Sequence, residues 1–356
     1  MRFFRQPIEL QGRESLLIIL MGSLGDLVRG FCLPGLIKKR YPGIRIGWLV
    51  EPRWQDLVMH HERIDSTLVF DRPMGIKALP GLRRRLRRQG FDITLDLQRH
   101  FKSGLFSLFS GSPRRMGFHP RNAKEFNWIF NNTHIPYFDE QKAKLQHYLQ
   151  FAAAMGIEAA GPLDFGLSTL AGKSLPEHLA RGLQRPYIVM VMGSSWQTKN
   201  WHADGYRQLA ARILNRFPVG IVLAGDHSQQ PVARGVCAAF DRRRLIDYTG
   251  RTTLTELTAL LGQAAAGIGP DSGPGHLAAA VGTPYVTLFG PTPPGRVVPH
   301  GCEDLAVVTD VACAGCYRKR CPQPACTCMR AITPSMVIDK LAAALEDPRT
   351  PPACPN

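Results

Sequence analysis

Along this chain, short runs of consecutive apolar residues alternate with longer amphipathic stretches, the pattern of strands separated by helices. In the first half, residues 16–21 predict a strand, 27–40 a helix, and 44–50 and 67–70 two further strands. A helix is expected over 75–89, strands over 92–97 and briefly 116–118, and a helix over 142–155. Residues 163–186, interrupted by Gly and Pro, break the pattern and form the expected linker. The alternation then restarts, with strands at 187–192, 219–224, 245–248 and 266–269 and helices at 203–216, 230–242 and 254–264. A last helix is expected at 335–346, followed by a tail at 347–356. Strands separated by helix-length segments imply βαβ units and mostly parallel sheets, so the fold class is α/β with two tandem doubly wound domains. The boundaries follow as 1–170, 171–334 and a terminal helix and tail at 335–356.

The segment 266–292 carries the densest candidate chemistry. A strand runs into a turn rich in Gly and Pro, a helix opens near Gly275, and a second strand at 285–289 ends in the turn Gly290-Pro291-Thr292. Strand, tight loop and helix N-terminus present unpaired backbone N–H groups to an anion. Gly273 and Gly275 allow close backbone approach, and Asp271 and Ser272 either cap the helix or hydrogen-bond to a ligand. A capped connection of any α/β protein would look the same.

Other strand ends repeat the theme. The first strand runs into Gly22-Ser23-Leu24-Gly25-Asp26, which lacks the Gly-Lys-Ser/Thr of a P-loop and the third glycine of a dinucleotide fingerprint. Asp26 is either a helix-start residue favoured by the macrodipole or a carboxylate able to act as a general base. After residues 187–192 come Ser194, Ser195 and Lys199, which suit a phosphate group. Gly225 with Asp226, and Thr249 with Gly250 and Arg251, close two more strands. Polar, Gly-containing loops at one sheet edge point to a nucleotide site, and the cleft between the two domains is where a ligand is expected.

Charge and cysteine content narrow the partners. A net charge of +16 favours anionic ones: nucleic acid, phosphorylated small molecules or acidic lipid headgroups. Nine cysteines, an odd number, do not suggest a disulfide scaffold. No apolar run is long enough to span a bilayer and the N-terminus has no secretory core region, so a cytoplasmic protein is expected. Arg83, Arg84, Arg85, Arg87 and Arg88 lie in one helical stretch, a solvated face that also suits an anionic membrane surface. Cys313, Cys316, Cys321, Cys326 and Cys328, in a loop over 313–328, have one CxxC pair but not the paired spacing of a zinc site, which leaves a structural metal open.

Taken in order and spacing, Gly25-Asp26, Ser194-Ser195 with Lys199 and Trp201, Asp271-Ser272-Gly273 with His276, Gly290-Pro291-Thr292 and the cysteine run resemble the heptosyltransferases of lipopolysaccharide core assembly, glycosyltransferase family nine. The resemblance implies a GT-B architecture, two Rossmann-like domains facing each other across a cleft. The first would bind an acceptor on the lipopolysaccharide core or lipid A, and the second a nucleotide sugar. It further implies inverting transfer of heptose from ADP-L-glycero-D-manno-heptose, with no cofactor, no catalytic metal and no nucleic acid, at the inner face of the cytoplasmic membrane. On that reading Asp26 is the general base and Lys199 offsets leaving-group charge. Ser194, Ser195, Lys199, Thr249, Gly250, Asp271, Ser272, Gly273 and His276 bind the donor. Gly25, with Arg114, Arg115, Arg121 and Lys124 in a loop after the fourth strand, binds the acceptor. Where the family carries a glutamate after the glycine matching Gly225, this chain has His227-Ser228-Gln229-Gln230. That departure leaves two alternatives: a transferase or epimerase for another nucleotide sugar, or a non-catalytic binder of anions or nucleic acid.

Overall fold

The computed structural model describes residues 2–3, 10–71, 75, 77–241, 243–323 and 326–346. The chain divides into two compact units, 1–167 and 168–356, where the sequence pattern places the boundary at 170/171. The expected tail lies outside the described residues.

The first unit holds strands β1 (Arg2–Phe3), β2 (Ser15–Ile19), β3 (Arg45–Val50), β4 (Ser66–Val69), β5 (Ile93–Asp96), β6 (Arg114–Gly117) and β7 (Thr133–His134). Its helices are α1 (Leu24–Gly30), α2 (Cys32–Arg40), α3 (Gln55–Met59), α4 (Leu79–Gln89), α5 (Phe101–Ser110) and α6 (Lys144–Ala153). The strands are parallel and ordered β1-β7-β6-β5-β2-β3-β4. Ile19 pairs Asp96, so β2 and β5 end level with each other. Counting from β2, this is the doubly wound 3-2-1-4-5-6 order with β1 added at one edge.

The second unit holds β8 (Tyr187–Val191), β9 (Gly220–Ala224), β10 (Leu245–Asp247), β11 (Ala266–Pro270), β12 (Tyr285–Leu288) and β13 (Ala306–Val307). Two one-turn helices, α7 (Ser168–Ala171) and α8 (Glu177–Ala180), occupy the expected linker. Then come α9 (Ala203–Arg216), α10 (Gln230–Cys237), α11 (Leu254–Gly262), α12 (Gly273–Ala280), α13 (Pro294–Val297), α14 (Thr327–Arg330) and α15 (Pro334–Leu345). The parallel order β10-β9-β8-β11-β12-β13 is the same 3-2-1-4-5-6 arrangement. Strands β8, β9, β11 and β12 are buried along their whole length, which is why they read as continuous apolar runs.

Three expectations change. The single helix expected over 27–40 begins at Leu24 and breaks at Phe31. Pro34 lacks an N–H and its ring opposes the carbonyl of residue 30, so the turn cannot continue through it. Helix α5 was not anticipated at all. It buries Ser103, Ser107 and Ser110 while Phe101 and Leu108 face solvent, the reverse of the expected polarity. Finally, Arg114 and Arg115 are the first residues of β6, not part of a loop.

The glycines of β11 have a packing cause. A Cβ on Gly267 or Gly269 would collide with the Tyr285 side chain, and one on Gly275 would lie 2.7 Å from its ring. Tyr285 is fully buried across all three, which draws α12 onto the β11–β12 pair. Gly267→Ala is therefore expected to cost about 1–3 kcal/mol through overpacking. Gly235→Ala, on the exposed side of α10 where a Cβ meets nothing, is expected to gain up to about 1 kcal/mol. Thermal unfolding of the two variants beside the parent checks both signs.

Candidate active site

In a doubly wound sheet the helices leave on opposite faces where the strand order reverses, and a crevice opens there beyond the carboxyl ends. In the first unit that point lies between β2 and β5. The turn after β2 needs glycine: Gly22 has φ +136°, and a Cβ there would lie 2.5 Å from the Trp54 indole nitrogen. Gln98, just past β5, clips this turn from across the reversal. Its Oε1 accepts from the Met21 N–H at 2.7 Å and its Nε2 donates to the Gly22 carbonyl at 2.9 Å.

That turn delivers Asp26 into the first turn of α1, next to Gly25. Asp26 Oδ1 accepts from Arg29 Nη1 and Lys144 Nζ, each at 3.0 Å, and Oδ2 accepts from Ser23 Oγ at 3.1 Å. Burial alone would raise its pKa, but the charges of Lys144 and Arg29, with the hydrogen bonds from Lys144 and Ser23, hold the carboxyl far below the usual range. Tyr148, one turn beyond Lys144 on α6, is pushed up by burial and by the Asp26 charge. A cavity of about 150 Å³ opens here, lined by Asp26, Gln98, Arg99, His100, Lys124, Lys144, His147 and Tyr148 among others. Asp26 keeps 21% of its side-chain surface exposed, so a ligand can reach it.

Of the basic residues expected at this site, only Lys124 lines the cavity. Arg121 stacks on the Tyr137 ring at 4.6 Å. Arg114 and Arg115, as strand residues, sit at the start of β6, the edge opposite the crevice. Arg115 donates to the Phe130 and Ser112 carbonyls at 3.0 and 2.7 Å, which fixes it in a structural role. The sequence reading missed Lys144, Arg29, Gln98 and Tyr148. Lys144, His147 and Tyr148 at helical spacing within a recognised helix were the available signal.

In the second unit the reversal lies between β8 and β11, and the expected donor residues gather around it. Gly193 to Lys199 follow β8, and Asp271, Ser272 and Gly273 follow β11. Lys199 Nζ pairs with Asp271 Oδ2 at 2.7 Å and lies 4.5 Å from the centroid of the Trp196 ring. Thr292 Oγ1, in the turn after β12, donates to the same Asp271 oxygen at 2.8 Å. Asp271 thus holds Lys199 beside the N-terminus of α12, where Ser272 is the N-cap and Gly273 the first helical residue. Asn200 Oδ1 accepts from the Ser194 N–H at 2.8 Å and Ser194 Oγ accepts from the Trp196 N–H at 3.2 Å, while Ser195 is exposed. His276 is buried in α12.

Thr249 and Gly250 follow β10. The Thr249 hydroxyl is buried with no hydrogen-bond partner, and Gly250 has φ +71° with His227 Nδ1 2.6 Å from where its Cβ would stand. The cysteine loop buttresses the same edge. Thr198 Oγ1 donates to the Arg318 carbonyl at 3.0 Å, and the Gly315 and Tyr317 amides donate to the Gly290 and Pro291 carbonyls. Cys313, Cys316, Cys321, Cys326 and Cys328 line a cavity of about 280 Å³ there. Among the described residues no group of His, Cys, Asp and Glu stands in metal-holding geometry.

Two tandem units of this strand order, each with polar residues gathered at its reversal point, make an α/β fold of the GT-B type. The sequence profile of glycosyltransferase family 9 (heptosyltransferase) matches residues 80–326, and the chain belongs to that family. It is a glycosyltransferase. It is 25% identical over 309 residues to the lipopolysaccharide core heptosyltransferase OpsX of Haemophilus influenzae, covering 85% of this chain and 86% of that one. It is 26% identical over 370 residues to lipopolysaccharide heptosyltransferase 1 of Pseudomonas aeruginosa, covering 94% and 99%. The fold matches that of the Escherichia coli heptosyltransferase WaaC with ADP at a TM-score of 0.75 and 20% identity, covering 93% and 99%.

The Asp26 cluster gives a pH-dependent prediction. Because the folded carboxyl is held low, its stabilisation is complete above the ordinary value of 3.8 and is lost as pH falls below that toward the folded value. Lys144→Met is expected to cost about 1 kcal/mol at pH 7. The gap to the parent should narrow below about pH 4, read from urea midpoints across that range.

Proposed function

We propose that the protein transfers heptose from ADP-L-glycero-D-manno-heptose to the inner core of lipopolysaccharide, with inversion and without cofactor or catalytic metal. The observation that carries this reading is Lys199, held by Asp271 and Thr292 beside the α12 N-terminus at the β8–β11 reversal. A lysine and free helix amides at one point suit a diphosphate. The names of the relatives in two bacteria support the sugar and the acceptor.

In the proposed reaction an acceptor hydroxyl oxygen attacks the anomeric carbon and the bond from that carbon to the β-phosphate oxygen breaks. The hydroxyl proton passes to Asp26 and ADP departs with both bonding electrons. Lys199, Ser194, Ser195, Ser272 and Gly273 meet the diphosphate, Thr249, Gly250 and His276 line the donor pocket, and Asp271 positions Lys199. Asp26 is ionised at any working pH and so is always ready to accept a proton, though two cations make it a weak base. An anionic acceptor that draws Lys144 away restores its basicity. Gly25, Lys124 and Arg121 complete the acceptor side, with Arg114 and Arg115 left to the sheet.

We place the enzyme in the cytoplasm, in peripheral contact with the anionic inner membrane that holds such acceptors. No helix among the described residues is long and apolar enough to cross a membrane.

Asp26→Asn is expected to lower kcat by about 10²- to 10⁴-fold while ADP affinity stays close to that of the parent. Full turnover in that variant would remove Asp26 from the mechanism. Calorimetry with ADP, UDP and GDP tests the donor, since the run His227-Ser228-Gln229-Gln230 after Gly225 holds no glutamate. ADP should bind best and Lys199→Ala should weaken it. Tighter binding of UDP or GDP would replace the sugar, and no binding of any nucleotide would overturn the donor site.

A further inference from the structure

Helix α5 buries three serines beside Phe106 and leaves other apolar residues outside. Its inward serines are satisfied by a buried polar network: Ser107 Oγ donates to Asn131 Oδ1 at 2.7 Å, and Ser110 shares hydrogen bonds with Thr94 and Ser112. Asp96, fully buried, accepts from Asn127 Nδ2 at 2.6 Å in the same layer. Its outward stripe at i, i+4 and i+7 is Phe101, Leu105 and Leu108, with Phe101 48% and Leu108 42% exposed.

The following segment extends that stripe. Glu125 and Phe126 are consecutive non-glycine residues at φ +51° and +56°, a conformation costing about 1–2 kcal/mol per residue. The Glu125 carboxylate secures it by accepting from the Phe101 N–H at 3.2 Å, beside His100 Nδ1 at 3.2 Å. The result is to hold Phe126 72% exposed, with Ile129 at 55% in the same short turn and Phe130 edge-on to Phe101 at 5.0 Å.

The neighbouring helix supplies charge. Leu82 and Leu86 of α4 and Phe106 of α5 enter one core cluster with Leu17, Ile19 and Met21, so the two helices lie side by side on one face of the sheet. Their outward surfaces are therefore continuous. All five arginines of α4 are exposed, Arg85 donating to the Val69 carbonyl of β4 at 2.7 Å, and the helix carries no acidic residue. The Arg87 side chain reaches the end of α5, its Nε 3.0 Å from where a Gly111 Cβ would stand.

We propose that this surface docks onto an anionic phospholipid bilayer, with the α4 arginines among the headgroups and Phe101, Leu108, Phe126 and Ile129 at the acyl boundary. Apolar side chains flanked by a purely cationic helix match that interface in both charge and polarity. The inference rests on the membrane contact proposed above and names the surface that makes it.

The test is flotation of the full-length protein with vesicles of phosphatidylcholine containing phosphatidylglycerol, and with phosphatidylcholine alone. The parent should float with the anionic vesicles and far less with the neutral ones. Phe126→Asp with Ile129→Asp, and separately Arg83→Ala, Arg84→Ala and Arg88→Ala together, should each reduce binding about tenfold or more. ADP affinity and thermal midpoint, measured alongside, should stay at parental values and so report intact folding. Parental flotation by the aspartate variant would overturn this surface and leave the membrane contact standing. No flotation of the parent would overturn both while leaving the transferase reading untouched. A parent that is dimeric by light scattering and becomes monomeric in the aspartate variant would reassign the patch to self-association and overturn the proposal.

Discussion

Strand order is the constraint on which the rest of this protein depends. In both units the first strand of the doubly wound count lies beside the fourth, and the chain leaves them on opposite sides. Backbone amides and side chains after those two strands therefore converge without any special sequence between them. The Asp26 turn and Gln98 meet in this way in the first unit, and Lys199 and Asp271 in the second. The two members of each pair are more than seventy residues apart in the chain, so only the sheet brings them together.

Each unit resolves the same electrostatic problem in a mirrored form. In the first, a carboxylate is the prospective reactive group and cations surround it. In the second, a lysine is the prospective reactive group and a carboxylate positions it. A partly buried charge without a partner would be costly, so each is held by an opposite charge. The pairs keep both side chains ordered.

Helix α5 shows how a buried polar layer can reverse the usual reading of a sequence. Its segment, FKSGLFSLFS, has serines at helical spacing, and those serines face the core because Asp96, Asn127, Asn131 and Thr94 wait there to bond them. Phe101 and Leu108 are left outside, while Phe106 stays in the core. No pattern of hydrophobicity signals this, since the partners come from β5 and a distant turn.

Much of the fold was legible along the chain because parallel strands buried on both faces must be continuously apolar, and the helices between them must carry one apolar side. Strands β2 to β6 and β8 to β12, the two-unit organisation and the loops holding Asp26, Lys199, Asp271 and Gly250 all follow from that local rule, whereas the two-residue strands β1, β7 and β13 were too short to signal. What the sequence left open were the side chains that complete each site: Lys144 and Arg29 on Asp26, Thr292 on Asp271, Gln98 on the first turn. It also misplaced Arg114 and Arg115 in a loop, although both pair with β5 as the first residues of β6. Elements follow from short-range burial periodicity, which the sequence by itself determined. Partners follow from which strand ends become neighbours, and only the tertiary structure decided that.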